Sequence, residues 1–230
     1  MKVGKKSDNI FFGGNKYMKQ NFKIETIIQI LEKTYPDAHC SLDFETPFEL
    51  LVAVVLSAQC TDARVNQTTP ALFQKYNTPQ AMANMKLSTL EQIIHPCGFY
   101  HNKAKNLKAC ATKIVTDFDG KVPSNMDDLT SLPGVGRKSA NVILLNAFHK
   151  PVGIAIDTHA KRICNRLGLT KSQDPLKIEQ DLLQIVPSSA IASINHLLVY
   201  HGRKYCTAKS PQCSACPLQA LCPYAKKLPV

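Results

Sequence analysis

Two short stretches of the chain hold the residue types that covalent chemistry needs. Leu132-Pro133-Gly134-Val135-Gly136-Arg137-Lys138-Ser139-Ala140 places a lysine amine directly after a glycine turn, and Asp157-Thr158-His159 places a carboxylate a short connection later. A neutral lysine amine is the nucleophile of Schiff-base chemistry. Lys138 falls in the first turn of a predicted helix, the unfavourable end of the dipole for a cation, and Arg137 adjoins it. That setting favours the neutral amine. A carboxylate fixed at a helix end can stabilise positive charge developing on a nearby carbon. Asp is also among the best helix N-caps, and for Asp157 the two tasks are compatible.

Local signals predict the elements that position these groups. Ser124 to Leu132 reads as a short helix, with Ser124 as cap, Asp127 completing a partial capping box, and Met126, Leu129 and Leu132 on one apolar face. Pro133 stops it. Gly134 and Gly136 then permit a hairpin with positive backbone φ, and Arg137 opens a second helix, Lys138 to Phe148. The pattern is a helix-hairpin-helix. Bare backbone N–H groups at such a hairpin fit a phosphate, although a glycine-containing turn also serves as an ordinary helix connection. Asp157 opens a further helix to Leu167, where Lys161, Arg162 and Arg166 form a basic stripe or a solvated face.

Composition narrows the partners. The 230 residues suffice for one or two domains with a real core, and a net charge of +11 points to a polyanion: nucleic acid, an anionic membrane surface or an acidic protein. The longest apolar run, Leu50 to Leu56, is too short to span a bilayer, and no signal-like leader is evident. A cytoplasmic or nucleoid-bound protein is therefore expected, a setting in which stable disulfides are rare.

Along the chain, residues 1–21 read as a basic, disordered lead-in. Phe22 to Tyr35 reads as a core helix, and Thr46-Pro47 opens a helix that is apolar nearly all round through Leu56. The polar run Ser57 to Asp62, containing Gln59, follows. Helices over Val65–Tyr76, Thr78–Met85 and Ser88–Ile94 lead to a loop, His95 to Lys103. Its Phe99-Tyr100 pair has the makeup of an apolar wedge with flanking cations, or of two aromatics packed inward. Ala104 to Phe118 is an amphipathic helix with Lys105, Lys108 and Lys113 outward. Helices over Asp174–Val186 and Ser188–Tyr200 complete the set. Strand signals are nearly absent, so the expected class is all-α.

The last segment changes character. No acidic residue follows Asp181, and Cys206-x6-Cys213-x2-Cys216-x5-Cys222 packs four of the nine cysteines together. Four clustered thiolates take zinc or an iron-sulfur cluster, and spacing leaves both open. Only one Cys-x2-Cys knuckle occurs, where zinc ribbons usually carry two. Lys209, in the first interval, can meet a phosphate.

The hairpin motif, the Ile156-Asp157-Thr158-His159 run and the four-cysteine terminus, in this order, resemble the endonuclease III family of helix-hairpin-helix DNA glycosylases from Phe22 to Cys222. The resemblance implies two helical lobes, residues 40–150 and residues 22–39 plus 151–230, with the active site at the cleft between them. It implies a [4Fe-4S] cluster on the four cysteines, and a monomeric enzyme that removes oxidised pyrimidines from double-stranded DNA and cleaves the abasic site. Lys138 would be the nucleophile and Asp157 its partner. Gln59 would enter the gap left by the extruded base; Phe99, Gly134, Val135, Gly136, Arg137 and Lys209 would also contact DNA. Family members commonly carry an aliphatic residue where Phe99 falls, and more basic residues near Lys209.

Overall fold

The computed structural model describes residues 14–227, and among them eleven α-helices and short 3-10 turns make up the regular structure, with no strand. The part of the basic lead-in before Gly14 lies outside the described residues. Its remainder is not an irregular arm: helix α1 runs Gly14–Thr34, starting eight residues before the predicted core helix. Ile24, Ile27, Ile28 and Leu31, at helical spacing, are its buried stripe.

The buried apolar residues fall into two clusters. One, from Leu42 to Leu144, is built by α2 (Pro47–Leu56), α3 (Asp62–Tyr76), α4 (Pro79–Asn84), α5 (Leu87–Ile94), α6 (Tyr100–Asp117), α7 (Met126–Thr130) and α8 (Arg137–Phe148). The other joins α1 to α9 (Thr158–Leu167), α10 (Pro175–Leu183), α11 (Ile191–Lys204) and the cysteine-rich terminus. Each cluster with the helices that build it forms one lobe. The chain crosses between them twice, after α1 and after α8.

Helix α2 is the axis of the first lobe. Thr46 and Glu49 form a reciprocal capping box, Pro47 occupies the first turn, and every residue from Phe48 to Leu56 is buried. At its C-terminal end Lys103 replaces a cap. Its buried ammonium donates to the carbonyls of Leu56, at 2.9 Å, and Cys97, at 2.8 Å. Lys103 therefore staples the end of α2 to the turn before α6, and is not an exposed cation flanking the Phe99-Tyr100 pair. That loop is shorter than its composition suggests, because His101, Asn102 and Lys103 already belong to α6.

Two further local expectations are corrected. Asn125, not Ser124, caps α7, accepting from the Asp128 N–H at 2.9 Å, so Asp128 and not Asp127 is the reciprocal residue. Of the hairpin glycines only Gly134 has positive φ, at 82°; Gly136 is extended, at −94° and 174°.

The lobes are tied by a carboxylate. Glu179 of α10, only 3% exposed, accepts from Arg137 Nε at 2.6 Å, Arg137 Nη2 at 3.2 Å and Asn141 Nδ2 at 2.9 Å. Glu179→Ala is expected to lower the unfolding free energy by about 2 kcal/mol, less than for a fully buried pair because Arg137 is half-exposed. Urea unfolding of the intact protein measures it. A loss below about 0.5 kcal/mol, the range of a surface pair, would show that solvent replaces the tie.

Candidate active site

Lys138 and Asp157 come to one cleft from opposite lobes. Lys138, exposed in the first turn of α8, and Asp157, half-buried at the start of α9, both line a cavity of about 280 Å³ between the lobes. The Asp157 carboxylate is held by its own helix: Oδ1 accepts from the Ala160 N–H at 2.7 Å. The predicted cap is thus present, and its second oxygen is not engaged by that bond. The connector leading to Asp157 is fixed by Asn195 of α11, whose Oδ1 accepts from the Ala155 N–H at 2.6 Å.

The hairpin is organised as its sequence requires. Leu132 and Val135 are buried and anchor the turn, while Gly134, Gly136 and Lys138 are exposed. A Cβ on Gly134 would lie 3.1 Å from Asn106 Cβ, and one on Gly136 would meet nothing within 4 Å. Helix α8 has no side-chain cap, so its first N–H groups face outward. Arg137 is committed to Glu179, which leaves Lys138 as the cation of this turn that lines the cleft.

Gln59 and Phe99 both adopt left-handed backbone, with φ of 53° and 47°. Both side chains are exposed, Phe99 by 65%. Tyr100 behaves otherwise, its ring tilted against those of His95 and His101 at 4.6 and 4.1 Å and packed on the core. Of the aromatic pair, Phe99 alone has the exposure of a wedge.

Several cleft residues gave no clear sign in the sequence. Asp62, at the start of α3, accepts from Ser41 Oγ and from Arg203 Nη2 of α11, each at 2.6 Å, closing the lobes from the cleft side. Those bonds, with the charges of Arg203 and Lys138, hold its carboxyl below the ordinary range despite burial. His159 is a packing residue. A Cβ on Gly202 would lie 2.5 Å from its Nδ1, so α11 approaches α9 there because position 202 lacks a side chain.

The basic stripe on α9 is not a solvated face. Arg162 donates to the Cys206 carbonyl at 2.8 Å and to the Gly202 carbonyl at 3.2 Å. Arg166 reaches Cys206 Sγ at 3.3 Å and the Thr207 carbonyl at 2.8 Å, and stacks on Tyr224. Both clamp the terminal loop. Arg166 also donates to the Ala208 carbonyl at 3.2 Å, fixing the turn from which exposed Lys209 projects.

All four cysteines of that loop, Cys206, Cys213, Cys216 and Cys222, line one small pocket walled by Ile163, Leu167 and Leu218. Among the described residues no three His, Cys, Asp or Glu side chains converge closely enough to grip a single ion. A ring of four sulfurs around an apolar pocket suits a polynuclear iron-sulfur group, which thiolates hold through several irons. His201, buried beneath it, lies 3.5 Å from Cys216 Sγ by Nε2 and 3.2 Å from the Tyr35 hydroxyl by Nδ1. Burial holds this imidazole neutral, down to about 4.

Comparison with known proteins places this architecture in a class. Residues 52–188 match the family model of the HhH-GPD superfamily base excision DNA repair protein, and residues 206–222 that of the iron-sulfur binding domain of endonuclease III. Endonuclease III of Synechocystis is 50% identical over 87% of this chain and 91% of its own length, and that of Bacillus subtilis 44% over 89% and 94%. A solved structure of a non-covalent endonuclease III–DNA complex superimposes with a TM-score of 0.86 at 45% identity, covering 90% of this chain and 97% of that one. A trapped endonuclease III–DNA covalent intermediate matches equally, with a TM-score of 0.86. The chain belongs to the endonuclease III family of helix-hairpin-helix DNA glycosylases, and its terminal segment is an iron-sulfur binding domain.

Two outcomes follow from this geometry. Burial and the nearby His39 hold His196, a cleft residue, below its ordinary pKa. Below about pH 6.5 the unfolded chain binds a proton that the folded chain refuses, so stability falls as pH falls through that value. His196→Gln is expected to lessen the stability loss between about pH 7 and 5.5 in urea titrations, the rest coming from the buried His201; an unchanged slope would place the linkage elsewhere. Arg166→Ala removes the clamp on the Cys206 loop, and faster decay of visible absorbance in chelator is the expected sign.

Proposed function

We propose that this protein is a bifunctional DNA glycosylase and abasic-site lyase that acts on oxidised pyrimidines in duplex DNA. The observation that carries the proposal is the meeting of Lys138 and Asp157 at helix N-termini on opposite walls of one cleft.

The reaction begins with the damaged nucleotide turned out of the stack, which a poorly pairing lesion makes cheaper. The Lys138 amine attacks the sugar C1′ while the C1′–N bond breaks and the base leaves with its electron pair. Asp157, unable to wander because Ala160 holds it, stabilises the positive charge that develops on the sugar. The ring-opened imine at C1′ acidifies the C2′ proton. Loss of that proton expels the 3′ phosphate, and strand cleavage follows by β-elimination.

The surrounding residues take supporting parts. The exposed N–H groups of Gly134 and Gly136 receive a backbone phosphate, while Val135, whose N–H is bonded to the Leu132 carbonyl at 3.1 Å, supports the turn from below. Arg137 contributes to DNA binding indirectly, through the Glu179 tie that fixes the hairpin. Gln59 offers an amide donor and acceptor to the orphaned partner base, and Phe99 wedges beside it. Lys209 meets a flanking phosphate. Cys206, Cys213, Cys216 and Cys222 hold a [4Fe-4S] cluster, which ties down the terminal segment. An adenine-removing glycosylase of the same superfamily, or a non-catalytic DNA-binding module, has no need of both Lys138 and Asp157.

Borohydride trapping on a duplex containing one thymine glycol tests the proposal. A covalent protein–DNA adduct is expected for the wild type and none for Lys138→Gln, which should still bind the duplex. An undiminished adduct in Lys138→Gln would exclude this nucleophile. Asp157→Asn keeps the cap, since Asn caps a helix about as well as Asp, and is expected to slow turnover by about 10²-fold. Full activity in that variant would reduce Asp157 to a capping residue.

A further inference from the structure

His201 lies in the last turn of α11, 1% exposed, against the pocket that the four terminal cysteines ring. Its carbonyl accepts from the Cys206 N–H at 2.9 Å, so its backbone holds the first cysteine of the loop. Its ring reaches a second one: Nε2 stands 3.5 Å from Cys216 Sγ. On the other side Nδ1 stands 3.2 Å from the hydroxyl of Tyr35, the residue that follows α1. Tyr35 is buried too, with its N–H bonded to the Leu31 carbonyl at 2.8 Å and its ring edge-on to Tyr200 at 6.0 Å. A phenol, an imidazole and a sulfur from three parts of the chain therefore form one buried line.

Donor and acceptor capacity gives that line a direction. A cysteine that ligates iron does so as a thiolate, which only accepts hydrogen bonds. The ring proton of His201 therefore belongs on Nε2, and the free lone pair on Nδ1 accepts from the Tyr35 O–H. The opposite tautomer would aim a lone pair at the sulfur. Only the first arrangement satisfies all three groups.

We propose that His201 is a positioning residue for the iron-sulfur group, donating Nε2–H to the Cys216 thiolate while Tyr35 fixes the tautomer, and that this bond raises the group's reduction potential. The proposal needs the iron-sulfur binding of the terminal domain, and neither the reaction proposed above nor a particular cluster type. An N–H aimed at a ligating sulfur offsets negative charge, and so favours the reduced state. Burial of both His201 and Tyr35 keeps water from competing for the same bonds, which a low local dielectric strengthens. Arg166 makes a comparable contact with Cys206 Sγ at 3.3 Å, but from a half-exposed position. The buried donor is the one that solvent cannot replace.

Protein-film voltammetry on the intact iron-sulfur protein, without DNA, reads the potential, with iron and sulfide measured on the same samples. His201→Leu fills the site without a donor, and is expected to move the potential to more negative values and to speed iron release in chelator. His201→Gln, whose amide N–H extends about as far as the imidazole Nε2, is expected to recover most of the shift. Tyr35→Phe keeps the ring and its packing but frees Nδ1, and is expected to move the potential in the same direction by a smaller amount at wild-type iron content. A merely structural His201 would leave the potential of every iron-loaded variant unchanged, and that result overturns the proposal. Equal shifts in His201→Gln and His201→Leu also overturn it, because the N–H would then not be what was lost. A wild-type potential in Tyr35→Phe overturns the phenol's part, whether or not His201→Leu retains iron. Purified protein that carries zinc and no sulfide would overturn the iron-sulfur group itself, and the proposal with it.

Discussion

The carboxylate of Glu179 is the constraint on which the site depends. Buried on α10, it needs donors, and Arg137 and Asn141 of α8 supply them. An unpartnered charge there would cost several kcal/mol, so α8 cannot turn or slide against the second lobe without breaking the bonds. Lys138 is the next residue along α8, and its approach to the cleft is fixed by the same contact. The return connector is held in the same place. A Cβ on Gly153 would lie 2.3 Å from Glu179 Oε1 and 2.5 Å from Asn141 Oδ1, so the chain passes closely over the ion pair on its way to Asp157. One buried charge therefore anchors the helix that carries Lys138 and lies against the connector that leads to Asp157.

Capping follows a complementary logic. Thr46, Thr61, Thr78, Asn125, Asp157 and Asp174 each satisfy an N-terminal N–H of the helix they open. Helices α6 and α8 begin at Phe99 and Gly136 without a side-chain cap. Their first N–H groups need another acceptor, and a phosphate oxygen is a good one. Helices α5 and α11 also start without a side-chain cap, so what sets α6 and α8 apart is that they open on exposed turns, at Phe99 and at the hairpin glycines. At Asp157 one carboxylate oxygen suffices for the cap.

What the sequence made legible was local. Lys138 after its glycine turn, Asp157 before its helix, and the cysteine spacing are short-range patterns, and each residue sits on the predicted element. The all-α class and the helix cores were legible for the same reason: Ile24, Ile27, Ile28 and Leu31 bury the face that their spacing defines. Long cationic side chains were not legible, because a lysine or arginine reaches in directions that periodicity does not encode. Arg162 and Arg166 read as a basic stripe yet hold the cysteine loop, and Lys103 read as a cation flanking the Phe99-Tyr100 pair yet binds the end of α2 from 47 residues away. Asp62 and Arg203 pair across 141 residues, a contact that neither sequence neighbourhood announces.

These contacts also change what the net charge of +11 means. Lys108 donates to the Ala83 and Met85 carbonyls, Lys150 to Ser124, and Arg137 and Arg203 are ion-paired. Cations engaged with backbone carbonyls keep their charge, so they still add to the long-range field that draws a polyanion in. They cannot also grip a phosphate without giving up a structural bond. Attraction and contact are therefore carried by different residues. The field is spread over the molecule, while in the function proposed above close recognition would fall to a few exposed groups: the hairpin N–H groups, Lys138, Gln59 and Phe99. On that reading, charge would gather the protein on any duplex, and the exposed groups would distinguish the lesion.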